Sequence, residues 1–228
     1  YLKGDGTWTD PLVGASFPAD ITVNGITVGR GNNNNQYTTV FGAGAGVSLS
    51  TSASSSQDNT LIGNRAGEDI TTGSSNVAVG YLAMIKNSIG GSNTAVGYFA
   101  GGAIYEGSHN TAIGYNAGLG GATGATGAKN TAVGSSAMMI GAMRGYYNTA
   151  VGMDALMDTF SNHNAPAYQP VQDAQNLTAV GYQAGTSYAP SGNLSNKQNI
   201  ICLGDNNVTT LYCKVNTIST SDERDKTD

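Results

Sequence analysis

One short phrase is written along this chain again and again, and its spacing limits the fold more than any other feature. Residues 93–98 read Asn-Thr-Ala-Val-Gly-Tyr, and near copies begin at Asn76, Asn110, Asn130 and Asn148. With the glycine of each copy as the marker, the series is Gly63, Gly80, Gly97, Gly114, Gly134, Gly152, Gly181 and Gly204, at intervals of 17, 17, 17, 20, 18, 29 and 23 residues. A helical-hairpin repeat needs about 33 residues and a propeller blade about 40, so neither fits. One coil of a β-solenoid does. At about 3.3 Å per residue, 17 residues give a contour of about 56 Å, enough for two short strands and two turns. The expected architecture is all-β: a narrow β-solenoid, or β-roll, of about 17-residue coils, stacked at about 4.8 Å so that each strand bonds to its copies above and below.

The composition agrees with a repetitive β structure. Gly 33 in 228 residues is about twice the usual share. Charged residues make up only 11%, and there are no Leu-rich stripes from which to build a bundle. A net charge of -5 and the absence of a Lys/Arg cluster argue against a nucleic-acid partner. No apolar run reaches the roughly 20 residues of a membrane span, and no signal-peptide pattern opens the chain. The first residue is Tyr1, which reads as a section of a longer chain. Cys202 and Cys213 are expected to be two buried thiols rather than a pair.

Each letter of the phrase suggests a role. Alternation puts Thr94 and Val96 on one face and Ala95 on the other. The apolar third site (Ile62, Val79, Val96, Ile113, Val133, Val151) is expected to fill the roll, with the alanines on a flat outer face. The glycine suits a positive φ at a corner, and Asn tolerates the same geometry. Stacked Asn side chains can also bond from coil to coil. Tyr81, Tyr98, Tyr115 and Tyr182 would form an aromatic row. "YLAMIKN" and "SSAMMIGAMRG" do not sustain a helical period. "ADITVNGITVGRG", Ala19 to Gly31, alternates like strands around an Asn24-Gly25 turn, and its Val28-Gly29 could be a degenerate first coil. "GAGAGVSLSTSASSS" reads as an irregular coil or linker. A narrow roll encloses little apolar volume, so an intertwined or side-by-side homotrimer burying the alanine and tyrosine faces is expected.

The repeated phrase resembles the head repeats of trimeric autotransporter adhesins and, more closely, the repeats of phage tail fibres. "YLKGDGTW", Tyr1 to Trp8, is similar to a Phe-Leu-Arg-Gly-Asp-Gly-Thr-Trp phrase of tail-fibre proteins. "STSDERDKTD", Ser219 to Asp228, resembles the opening of the intramolecular chaperone that follows endosialidase tailspikes and tail fibres. That resemblance implies self-cleavage between Thr220 and Ser221, with Ser221 as nucleophile and Lys226 as its base. A lysine in a poorly solvated trimer interface can lose its proton and activate a hydroxyl. The chaperone of that family extends roughly a hundred residues past this motif, and this chain stops eight residues into it.

The segments expected are a connector at 1–58, the repeat solenoid at 59–204, a shaft end at 205–220 and the start of the cleavable chaperone at 221–228. The longest interval, Gly152 to Gly181, inserts a loop with Phe160, His163, Tyr168 and Gln169. Aromatics and amides on a projecting loop suit carbohydrate recognition. The Gly-x-y triplets within 121–129 are too few for a collagen segment and read as a flexible bulge. His109 and His163 are the only histidines, and neither has metal-ligand spacing, so no metal and no cofactor are expected. The resulting expectation is a non-enzymatic, structural and receptor-binding part of a phage tail fibre. It would sit in the virion and contact a host glycan or surface protein as well as other tail-fibre or baseplate proteins. A polysaccharide-degrading tailspike, with carboxylates contributed by different coils, and a bacterial trimeric adhesin are the alternatives.

Overall fold

The computed structural model describes residues 20–31, 37–52, 55–118, 126–139, 145–157, 174–186, 194 and 197–210. Among them there is no helix, and eleven strands form one sheet whose spatial order equals chain order. The strands are β1 (Ile21–Val23), β2 (Ile26–Gly29), β3 (Thr39–Gly42), β4 (Thr60–Ile62), β5 (Val77–Val79), β6 (Thr94–Val96), β7 (Thr111–Ile113), β8 (Thr131–Val133), β9 (Thr149–Val151), β10 (Gln175–Val180) and β11 (Gln198–Leu203).

From β3 onward every neighbouring pair is parallel and in register, with Ala78, Ala95, Ala112, Ala132, Ala150 and Ala179 in one line. Parallel strands consecutive in sequence require the chain to return after each one, and the return segments stack too. Gly67 N donates to Ala83 O at 2.8 Å, Met84 N to Ala100 O at 2.9 Å, and Gly101 N to Ala117 O at 2.9 Å. The molecule is therefore a β-solenoid, as the repeat spacing requires. β1 and β2 differ: they form an antiparallel hairpin through Asn24 (φ 50) and Gly25 (φ 80), and β2 also runs antiparallel to β3. The Asn-Gly turn is where the sequence puts it. Residues 28–29 belong to this hairpin rather than to a first coil, and Asp20 fastens its end by accepting bonds from the backbone N–H groups of Arg30 and Gly31, both at 2.6 Å. Part of the Gly-rich stretch is ordered as well, since β3 ends at Gly42 and the turn after it carries buried Ala45 and Leu49.

The two faces of the strands are the reverse of the expectation. Ala78, Ala95 and Ala150 are 0% exposed, whereas Val96 is 37% and Ile113 39% exposed. Alanine lines the interior, and the β-branched third site faces outward. The reason is the thinness of the roll. A Cβ built on Gly101, in the return segment, would stand 3.2 Å from Ala95 Cβ in the strand. Two layers this close leave room for alanine against alanine, and Ala66, Ala83, Ala100, Ala117, Ala137, Ala155 and Ala184 of the return segments are all fully buried. Larger side chains enter only where a neighbour recedes. Ile70 and Ile104 follow Gly67 and Gly101 by three residues, while Met84 occupies the glycine position of its own coil and is followed three residues later by the smaller Asn87.

Candidate functional site

Three rows of equivalent residues run along the solenoid, and all of them arise from the phrase. The first is the asparagine row. Asn59, Asn76, Asn93, Asn110, Asn130 and Asn148 are at most 2% exposed. Each Oδ1 accepts the backbone N–H of the equivalent residue in the next coil: Asn93 N to Asn76 Oδ1 at 3.0 Å, Asn110 N to Asn93 Oδ1 at 2.9 Å and, at the end of the row, Leu177 N to Asn148 Oδ1 at 3.0 Å. Each Nδ2 donates to a backbone carbonyl on the return segment, as Asn93 does to Gly107 O at 2.8 Å and Asn130 to Gly145 O at 2.8 Å. The row thus ties strand to return and coil to coil, and satisfies buried backbone groups that water cannot reach.

The expectation that these asparagines occupy the positive-φ corner needs correcting. The corner falls one residue earlier, on Asp58, Ser75, Ser92, His109, Lys129 and Tyr147, all with φ between 57° and 63°. Only where the phrase shifts by one does Asn take that place: Leu177 replaces the ladder residue, and Asn176 (φ 55) sits at the corner, donating to Asn199 Oδ1 at 2.9 Å.

The second row is glycine. At Gly97 φ is +134°, and a Cβ there would stand 2.5 Å from the carbonyl oxygen of Gly114. Adjacent coils touch backbone to backbone at this corner, so no other residue fits.

The third row is aromatic. Tyr81, Tyr98 and Tyr115 stack with ring centroids 5.3 and 5.1 Å apart, close to the coil spacing, and each is about half exposed. Ser135 and Met153 hold the next two positions, which separates Tyr182 from the stack. Charged contacts among the described residues are few. Lys86 Nζ meets Asp69 Oδ2 of the previous coil at 3.1 Å, and Lys129 lies 4.9 Å above the Tyr147 ring. Arg65 pairs with Glu68, and that hydrogen bond holds its guanidinium above the ordinary value. Exposed pairs of this kind add little to stability.

The residues singled out for recognition and cleavage, Phe160, His163, Tyr168, Gln169, Thr220, Ser221 and Lys226, lie outside the described residues, as do Trp8 and Cys213. Cys202 is buried at the strand position that alanine holds in earlier coils, and its Sγ accepts Gly185 N–H at 3.1 Å. His109 is exposed at its corner. Among the described residues no three of His, Cys, Asp and Glu gather closely enough to hold a metal ion. What sequence reasoning missed is the outward strand face itself. Its signal was present in the strict β-branched character of the first and third strand positions, but alternation alone does not say which face is inside. No family model, curated protein or solved structure matches this chain.

Proposed function

We propose that the chain is a structural and receptor-binding section of a phage tail fibre, a homotrimer of narrow rolls with coils of about 17 residues, placed before a self-cleaving chaperone. The observation that carries this reading is the continuous buried asparagine row. From Asn59 to Asn148 each coil completes the hydrogen bonds of the next, which is how a thin rod resists bending and local opening without a thick core. Attachment would come from the long insertion with Phe160, His163, Tyr168 and Gln169, through ring stacking and amide bonds to a host glycan. Three identical chains on one fibre multiply such weak contacts by effective concentration. Ser221 and Lys226 would release the chaperone once the trimer has folded.

The test is the native and denatured mass of the protein expressed with a full chaperone of this family after Asp228. A trimer of chains ending at Thr220 is expected. A trimer of uncleaved chains would remove the self-cleavage and leave the fibre. A monomer would remove the fibre reading.

A further inference from the structure

The row of third-site residues does not end with the solenoid. Register carries it from Ile21 in β1 to Val28, Phe41 and Ile62, then through Val or Ile in every coil to Val180 and Leu203. A second row, mostly Thr, runs beside it at the first strand site. Not one residue in the eleven strands carries a charge. The hairpin is the informative part. Among the described residues no return segment backs it, yet its apolar residues Ile21, Val23, Ile26 and Val28 all point to this one side, and all are 40% exposed or more.

Ten strand spacings of about 4.8 Å make a strip roughly 48 Å long. At a width of roughly 12 Å it covers on the order of 600 Å². A monomer rarely leaves more than a few hundred Å² of contiguous apolar surface in water. One side of a stable protein interface buries about 800 Å². The strip is thus at the upper end of what a monomer leaves in water and close to what an interface needs.

We infer that this outward face, hairpin included, is the surface along which identical chains associate, and that the alanine face is not. This rests on the trimeric reading above and replaces the surface assigned to it from sequence. The occupant is a further copy of the chain because the strip is periodic. Side chains repeat once per coil over its whole length, so only a surface of the same pitch can seat them without drifting out of register. Another copy of this face supplies that pitch and the same length. The strip also bears no charge, so the net charge of -5 on each chain stays at a distance when these faces meet.

Two measurements on the full chain test this. Val96→Lys puts an ammonium in the middle of the strip and is expected to convert trimer to monomer in sedimentation while the β circular dichroism is kept. Because that variant could fail to fold, nitroxide pairs provide the second measurement. Cysteine is placed by Val96→Cys on the strip, or by Lys86→Cys on the exposed return segment, in a Cys202→Ala/Cys213→Ser background. Packed sheet faces lie about 10 Å apart, and equivalent residues around a three-fold axis are separated by about 1.7 times their distance from it, so inter-chain distances at 96 should be shorter than at 86 by roughly 17 Å. A trimer in which 86 gives the shorter distance overturns the face assignment and leaves the trimer standing. A wild-type chain that sediments as a monomer removes both.

Discussion

Replacing Asn93 by alanine removes one link from the buried asparagine row, and the loss can be counted bond by bond. The side chain accepts Asn110 N–H at 2.9 Å and Asn110 Nδ2–H at 3.2 Å, and donates to Gly107 O at 2.8 Å and to Asn76 Oδ1 at 3.1 Å. Asn76 Oδ1 keeps a partner in the Asn93 backbone N–H, and Asn110 Nδ2 keeps Gly127 O. Two buried groups are left without their side-chain partner, the Asn110 N–H and the Gly107 carbonyl. At about 1–3 kcal/mol each, the expected loss is about 4 kcal/mol before any cavity cost. The assay is denaturant unfolding followed by circular dichroism, with amide exchange at Asn110 as the local reading and the exposed Asn64→Ala as control, which should stay within about 0.5 kcal/mol of wild type. Asn93→Asp sharpens the test, because one carboxylate oxygen would face Gly107 O and Asn76 Oδ1, both acceptors. Burial and those dipoles disfavour the charged form, so the folded-state pKa rises above the unfolded value. The variant is then most stable below the unfolded pKa, and stability is lost as pH rises through the folded pKa. An alanine variant within about 1 kcal/mol of wild type, or an aspartate variant whose stability relative to wild type does not fall with rising pH, would refute the ladder as a source of rigidity.

Further outcomes follow from the same geometry. Gly97→Ala meets the Gly114 carbonyl at 2.5 Å in addition to its φ of +134°, and should cost about 3–6 kcal/mol in chemical denaturation. Gly25→Ala, with nothing within 4 Å of its Cβ, should lose only about 1 kcal/mol. Tyr98→Ala removes two stacked neighbours and should lower the thermal midpoint more than Tyr81→Ala, which loses one; each pair is worth about 0.5–1.5 kcal/mol. Transplanting the Met84/Asn87 pair one coil onward tests the interior size rule. Gly101→Met alone crowds Ile104 Cδ1, which lies 3.1 Å from the Cβ position, and Ile104→Asn alone opens space. The double variant should be less destabilised than the sum, by about 0.5–3 kcal/mol of coupling in urea unfolding. Additive losses would mean that the two positions do not share one space.

The period, the strands and the hairpin turn were legible in the sequence because each depends on local rules. The recurring glycine marked a backbone that no side chain can enter, and Gly97 and Gly114 touch there. The β-branched Thr-Ala-Val triplets read as strands because such residues suit a pleated surface. Asn24-Gly25 read as a hairpin turn because both of its residues accept positive φ. The asparagine ladder was legible as a possibility, since identical polar side chains in register can always bond along a stack.

Which face is inside was not legible, because alternation is symmetric and hydrophobicity alone favours valine over alanine for a core. The distance between the two layers settles it. Ala95 is interior because the return segment passes so close that a Cβ on Gly101 would stand 3.2 Å from its own Cβ, and Val96 is exterior because nothing of the described chain lies beyond it. The corner illustrates the same division. The sequence determined that a positive φ must occur near each Asn, but only the closed coil placed it on Ser92 and turned the Asn93 amide inward, where two backbone groups needed a partner. Local chemistry in the sequence set the rung; the spacing of one layer against the other, a property of the closed roll, decided what each rung buries and what it presents.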